Sequence, residues 1–276
     1  MHPILVEIGP LTIRYYGLMY VIAIAIGFWL VVREVRRKEL SLSTENLLDL
    51  MLWTVPIAIV GARLYYVAFH WDEFGAHPAD IVKIWEGGLA IHGGVLAGAA
   101  VVYFLARAKR VSFWRLTDAL APSLILGQAI GRIGNLMNGD AHGVETSLPW
   151  GIQFPQTDPS GTVRIPAGWK VVIQNGSEVW QKAGPTHPTM VYEMLLNLAI
   201  FAFLWWWVRK RDFKDGFSTA LYFILYAIGR SIVSFVRADS LWLGPIRAAH
   251  AISILFVVGF GLLVWRRRLY RRAPTG

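Results

Sequence analysis

Residues 15–38 read YYGLMYVIAIAIGFWLVVREVRRK, an uncharged apolar run from Tyr15 to Val32 that ends abruptly at Arg33, Arg36, Arg37 and Lys38. About 20 such residues in a helix cross the ~30 Å hydrocarbon layer of a bilayer. The same pattern recurs at Leu47–Phe69, Leu89–Ala106, Leu116–Asn135, Val191–Val208, Phe217–Val236 and Ala248–Trp265. The expected fold is an all-α polytopic membrane protein with about seven transmembrane helices. The fourth span is expected to break at its end, because Gly134-Asn-Leu-Met-Asn-Gly139 is rich in helix-interrupting residues.

Composition agrees. Hydrophobic residues make up 55% of the 276 and charged residues only 16%, where a soluble domain carries about 25%. A net charge of +9 could suggest nucleic acid, but the cations sit in short runs that flank apolar spans, so no nucleic-acid partner is expected. The chain has no cysteine, which excludes a disulfide framework, a thiolate metal site and a cysteine nucleophile of its own. No metal or cofactor is expected. The N-terminal stretch has neither a basic leader nor a small-residue cleavage site, so the first span is expected to serve as its own insertion signal.

The basic runs set the orientation. Four runs hold seventeen of the 27 Lys and Arg residues: Arg33–Lys38, Arg107–Arg115, Arg209–Lys214 and Arg266–Arg272. They follow the first, third, fifth and seventh spans. The alternate connections hold only Lys83, Arg164, Lys170, Lys182, Arg237 and Arg247. By the positive-inside rule, the N-terminus lies outside and the C-terminus inside. The chain reads as one membrane domain, with residues 139–185 inserted as an outer, periplasmic head lobe between spans four and five. Within that lobe, Lys170–Gln181 alternates around Asn175-Gly176, the pattern of a β-hairpin. Trp205, Trp206 and Trp207, beside Arg209, read as an interfacial belt.

Topology leaves Arg14, Arg63, Arg132 and Arg230. Arg14 is placed to snorkel at the mouth of the first span. An arginine deep in a transmembrane helix costs about 2.5–3.5 kcal/mol on insertion scales, so it needs a carboxylate, a polar cavity or an anionic ligand. The nearby acids are Glu193 and Asp140. Arg132 and Asn135 share a helix face, as do Tyr222, Tyr226, Arg230 and Ser234. His92 stands among Gly87, Gly88, Gly93 and Gly94, which suggests open space beside the imidazole. Gly94/Gly98 and Gly127/Gly131 form small-residue packing pairs. Arginine forks match phosphate geometry, and a phospholipid headgroup is the phosphate found at this depth. On the residues alone, an anion transporter or a non-catalytic lipid-binding factor stays open beside a lipid-phosphate enzyme.

Five stretches resemble the signatures of bacterial prolipoprotein diacylglyceryl transferases. They are Arg14-Tyr-Tyr-Gly-Leu-Met-Tyr20, Trp85-Glu-Gly-Gly-Leu-Ala-Ile-His-Gly-Gly94, Gly131-Arg-Ile-Gly-Asn-Leu-Met-Asn-Gly-Asp-Ala-His-Gly143, His187-Pro-Thr-Met-Val-Tyr-Glu193 and Tyr226-x-x-x-Arg230. The resemblance runs from the first span to the sixth. It implies a bacterial inner-membrane enzyme that moves the diacylglyceryl group of phosphatidylglycerol to the lipobox cysteine in the signal peptide of a prolipoprotein. It further implies that His92 takes the thiol proton and that Arg132 and Arg230 face the phosphate. Tyr16, Asn135, Asn138, Asp140, Gly143, Glu193 and Tyr226 fall at further positions of the site. Two departures stand out. Asp140 occupies a position where the signature usually has glutamate, and Ser234 replaces a family glutamate four residues after Arg230.

Overall fold

The computed structural model describes residues 4–8, 11–154, 156–157, 164–165, 168–174, 177–238, 242–243 and 245–271. Its long helices are α1 (Tyr15–Arg37), α2 (Thr44–Phe69), α4 (Ile91–Ala108), α5 (Phe113–Asn138), α6 (Thr189–Phe203), α7 (Phe217–Ser234) and α8 (Ala248–Arg267), with a one-turn α3 (Trp71–Phe74) after α2. A π-helical turn, Leu204–Val208, prolongs α6. The strands form antiparallel pairs: β1 (Ile4–Ile8) with β2 (Leu11–Arg14), β3 (Gln156–Thr157) with β4 (Arg164–Ile165), β5 (Trp169–Gln174) with β6 (Ser177–Lys182), and β7 (Trp242–Leu243) with β8 (Ile246–Arg247).

The protein is an all-α polytopic membrane protein with a small antiparallel β insertion. Among the described residues, six helices are long and apolar enough to cross a membrane: Tyr15–Arg37, Thr44–Phe69, Ile91–Ala108, Thr189–Val208, Phe217–Ser234 and Ala248–Arg267. Their outer faces are built for lipid. Leu255 and Trp265 on α8 are each 68% exposed, a large uncovered apolar surface that water would penalise. The remaining long helix, α5, has 26 residues, but Arg115, Asp118, Gln128, Arg132, Asn135 and Asn138 make it too polar for that class.

The helices fall into two compact units, Met1–Gly27 with Ala121–Gly276, and Phe28–Leu120; α1 and α5 contribute to both. In the second unit, Val31, Val35, Leu47, Ala106, Leu116 and Ala119 form the core. Ser43 opens α2 with a reciprocal cap: its hydroxyl accepts from the Asn46 amide, and the Asn46 side chain accepts from the Ser43 amide. α2 and α4 approach closely at small residues. A Cβ on Gly94 would lie 3.2 Å from the Ala58 carbonyl oxygen, and one on Gly98 would lie 3.5 Å from Thr54 Cγ2. The expected Gly94/Gly98 packing face therefore exists. Gly93 and Gly94 beside His92 serve that packing, whereas a Cβ on Gly87 would meet nothing within 4 Å. Arg37 bonds the buried Glu34 at 2.8 Å, and Lys38 lies 3.8 Å from buried Asp118, so part of the first basic run is ion-paired.

The first unit is centred on Ala121, Ile125, Ile200, Leu204, Val208 and Tyr222. Three features of the sequence reading change here. The fourth span does not break at Gly134: α5 continues to Asn138 and ends at Gly139, whose φ of +76° only glycine adopts readily. A Cβ on Gly131 would meet nothing within 4 Å, and one on Gly127 would meet only Ala23 at 4.0 Å, so that pair is not a tight helix contact. The β1/β2 hairpin before α1 was not expected. The expected 170–181 hairpin is present as β5/β6, in register from Trp169↔Lys182 to Gln174↔Ser177; Asn175 and Gly176 lie outside the described residues. Beside it, the Lys170 ammonium donates to Glu145 at 2.9 Å, and that bond holds the Glu145 carboxyl below its usual range. Arg209 and Arg211 stack on Trp205 and Trp207, consistent with a cationic–aromatic belt.

Candidate active site

The end of α5 is shaped by its signature residues one at a time. Gly134 lets the Tyr16 ring lie against the helix, since a Cβ there would meet Tyr16 Cδ2 at 2.6 Å. The Tyr16 hydroxyl pairs with that of Tyr20 at 3.1 Å. The Asn135 carbonyl accepts from both Gly139 (2.9 Å) and Asp140 (3.2 Å), closing the helix and turning Asp140 back over it. The Asp140 carboxylate then accepts from Asn135 Nδ2 at 2.8 Å and Asn138 Nδ2 at 3.4 Å. Arg132 Nη1 in turn donates to Asn135 Oδ1 at 3.1 Å. Asn138 and Asp140 are thus coupled to Arg132 through one amide. The shorter side chain of Asp140 reaches its partners without a further methylene.

Backbone pairing brings the other half of the site together. Val144 N donates to Val236 O at 2.9 Å, and Gly143 N donates to His187 O at 2.8 Å, so residues 143–144 lie between two other segments. Gly143 has no room for a side chain: a Cβ would sit 2.7 Å from His187 Cβ and 2.9 Å from Thr189 Cγ2. Thr189 Oγ1 donates to Ala141 O at 2.6 Å and fixes the start of α6. One turn later on α6 stands Glu193, with Arg237 on the paired segment just beyond α7.

Glu193 is the hub. It is ion-paired to Arg132 through Oε2, to Arg230 Nη1 at 3.1 Å and to Arg237 Nη1 at 2.8 Å through Oε1. Side-chain exposure divides the three arginines. Arg237 (7%) is as enclosed as Glu193 (5%), whereas Arg132 (23%) and Arg230 (27%) keep an accessible face. A guanidinium has five N–H donors, so Arg132 and Arg230 retain donors for an incoming anion while Arg237 is spent on the hub. Tyr226 lies within electrostatic reach of Glu193 and all three arginines. Tyr16 is similarly close to Asp140 and Arg132. Three cations against Glu193 and Asp140 leave positive charge over.

The structure therefore brings together Tyr16, Arg132, Asn135, Asn138, Asp140, Gly143, Glu193, Tyr226 and Arg230. Glu193 is the carboxylate that orients Arg230, and Ser234, fully buried, is not needed for that charge. The sequence reading missed Arg237, which it had counted as an outer-loop cation. No local signal marked it, because Arg237 lies beyond the end of α7 and reaches Glu193 through the pairing of its segment with Gly143.

The chain matches the family model described as prolipoprotein diacylglyceryl transferase over residues 3–266. The chain belongs to this family. It is 40% identical over 279 residues to the phosphatidylglycerol–prolipoprotein diacylglyceryl transferase of Synechococcus elongatus, covering 99% of this chain and 90% of that one. It is 41% identical over 266 residues to the same transferase of Geobacillus kaustophilus, covering 96% and 92%. The Listeria innocua enzyme is 34% identical over 270 residues, covering 97% and 90%.

Two residues singled out in the sequence belong to the second unit. His92 is exposed near the start of α4, with the Tyr65 ring 5.9 Å away. Arg63 is structural. It donates to the backbone carbonyls of Asp80 (2.5 Å), Ile81 (2.8 Å), Gly87 (2.8 Å) and Gly88 (3.1 Å), and it packs on Phe74. One guanidinium thus ties down the connection between α2 and α4. Arg14 is exposed at the end of β2. Among the described residues, no cluster of three or more metal-ligating side chains occurs.

Proposed function

We propose that Arg132 and Arg230, set by Glu193 and Arg237, hold the phosphate of phosphatidylglycerol while its diacylglyceryl group passes to the cysteine thiol of a prolipoprotein. The transfer itself is the activity of the family to which the chain belongs. The observation that carries this assignment is the cluster of three arginines on one buried carboxylate, two of them with accessible donors. Its surplus positive charge complements a phosphodiester anion.

In the reaction, the cysteine sulfur forms a bond to glyceryl C3 as the C3–O bond to phosphate breaks. The products are a thioether and glycerol phosphate. Negative charge grows on the departing phosphate oxygens, and preorganised guanidinium donors stabilise it most at that moment. The thiolate is the nucleophile, so the thiol proton needs an acceptor, and His92 is assigned that role. Tyr16, Asn135, Asn138, Asp140 and Tyr226 shape and orient the arginine cluster; Gly143 permits the close backbone packing beneath it. The reaction needs no cofactor.

The chain is further read as one membrane domain that spans the bacterial inner membrane seven times, with α5 as the additional span. Residues 139–185 form its periplasmic lobe, the N-terminus lies outside and the C-terminus inside. The clustering of basic residues after alternate spans supports this orientation. The test of the phosphate role is Arg132→Ala, with transfer to a lipobox peptide measured in reconstituted protein. Transfer should be lost while the protein still inserts and folds, and Arg132→Lys should restore little, because a point charge cannot replace the bidentate fork. Unchanged turnover in Arg132→Ala would sink the assignment.

A further inference from the structure

One helical turn toward the middle of the spans from the arginine cluster lies a second polar level. Ala121 and Ile125 on α5 and Ile200 and Leu204 on α6 belong to one core cluster, and nearer the ends of these helices Arg132 pairs with Glu193. Gln128 stands one turn before Arg132 on α5, and Asn197 one turn after Glu193 on α6, each on the face of its helix that carries the ion pair. Both lie about 6 Å deeper along their helices than Arg132 and Glu193, at 1.5 Å per residue.

This level is not electrically closed. Gln128 Nε2 donates to the Tyr222 hydroxyl at 2.8 Å, yet Gln128 Oε1 and Asn197 Nδ2 are buried without a hydrogen-bond partner. Asn197 is only 3% exposed. An unpaired amide donor in an apolar core is costly, and an acceptor brought in by a ligand would satisfy it. Along a phospholipid, the groups one step deeper than the phosphate are the acyl ester carbonyls, which are acceptors only.

We propose that Asn197 Nδ2 donates to an acyl ester carbonyl of the lipid whose phosphate the arginines hold. This deepens the phosphate reading and rests on it. The amide nitrogen carries two N–H protons and meets no protein acceptor, so a donor is left for the lipid carbonyl. Asn197 then reads the diacylglyceryl part of the donor, as Arg132 and Arg230 read its phosphate, and sets the depth at which C3 meets the thiol.

The test compares diacyl phosphatidylglycerol with dialkyl phosphatidylglycerol, which has ether oxygens in place of ester carbonyls, at equal chain length. Reconstituted wild type and Asn197→Leu are each supplied with a lipobox peptide, and thioether product is quantified by mass spectrometry. Leucine fills the amide's volume and removes the unpaired polar group, so the fold is kept. Wild type should prefer the diacyl lipid in kcat/KM by about three- to tenfold, the worth of one neutral hydrogen bond. In Asn197→Leu that ratio should fall to about one. Because the ratio is read within a single preparation, loss of folded protein cancels. Equal use of both lipids by wild type, or an undiminished ratio in Asn197→Leu, overturns the inference. Absence of thioether from wild type with either lipid instead overturns the transfer reading beneath it.

Discussion

Replacing Glu193 by glutamine tests the hub with little change of shape. The amide keeps one carbonyl to accept hydrogen bonds but removes the negative charge that Arg132, Arg230 and Arg237 share. Glu193 and Arg237 are 5% and 7% exposed, so solvent screens that loss poorly. Removing one partner of a buried pair costs about 3–5 kcal/mol. At about 2–4 °C per kcal/mol for a chain of this size, the midpoint of thermal unfolding should fall by roughly 6–20 °C. Phosphatidylglycerol should then stabilise Glu193→Gln more than it stabilises wild type, since its phosphate supplies the missing anion. The assay is thermal unfolding in a neutral detergent with and without the lipid, against phosphatidylcholine as a zwitterionic control. A midpoint within about 2 °C of wild type, or equal lipid stabilisation of both proteins, would refute the hub.

His92→Gln should lower kcat/KM for a lipobox peptide by about 10²–10⁴ near pH 7. That deficit should narrow as pH rises toward the free thiol pKa of about 8.5, because the substrate then supplies its own thiolate; a deficit that stays constant across a pH profile removes His92 as the base. Gly143→Ala inserts a methyl 2.7 Å from His187 Cβ, an overpacking worth about 1–3 kcal/mol, and should lower the unfolding midpoint together with transfer. An unaltered midpoint would show that the three backbone segments separate more freely than their hydrogen bonds indicate. Arg63→Ala strips four carbonyls of their shared donor, so the connection between α2 and α4 should become a preferred site of limited proteolysis, and an unchanged cleavage pattern would contradict its role as a tie.

The spans were legible because a continuous apolar run is a local property, and so was the pairing of Arg132 and Asn135 on one face. What escaped was set by contacts remote in the chain. Glycine and asparagine after Ile133 suggested a break, but the helix holds because Tyr16 packs on Gly134 and the stop falls at Gly139. Arg237 was read as a loop cation because it follows α7; only the pairing of its segment with residues 142–144 carries it into the Glu193 cluster. Glu193 itself was visible as an acid near the arginines, yet nothing local revealed that three of them converge on it. Gly93 and Gly94 beside His92 illustrate the reverse: their small size was noted, but their use in packing α4 on α2 depends on the facing residues. The β1/β2 hairpin had a local cue in Gly9-Pro10 between two apolar stretches, a turn dipeptide that the apolar count obscured.

In the proposed mechanism, the arginine cluster holds the departing phosphate of phosphatidylglycerol as the lipid's diacylglyceryl group moves to a thiol. Incubating the reconstituted protein with a lipobox peptide and phosphatidylglycerol, followed by mass spectrometry, tests it most directly. The predicted result is a diacylglyceryl increment on the peptide cysteine with release of glycerol phosphate, both lost in Arg132→Ala. An unmodified cysteine, or an increment that retains the phosphate, would contradict the account.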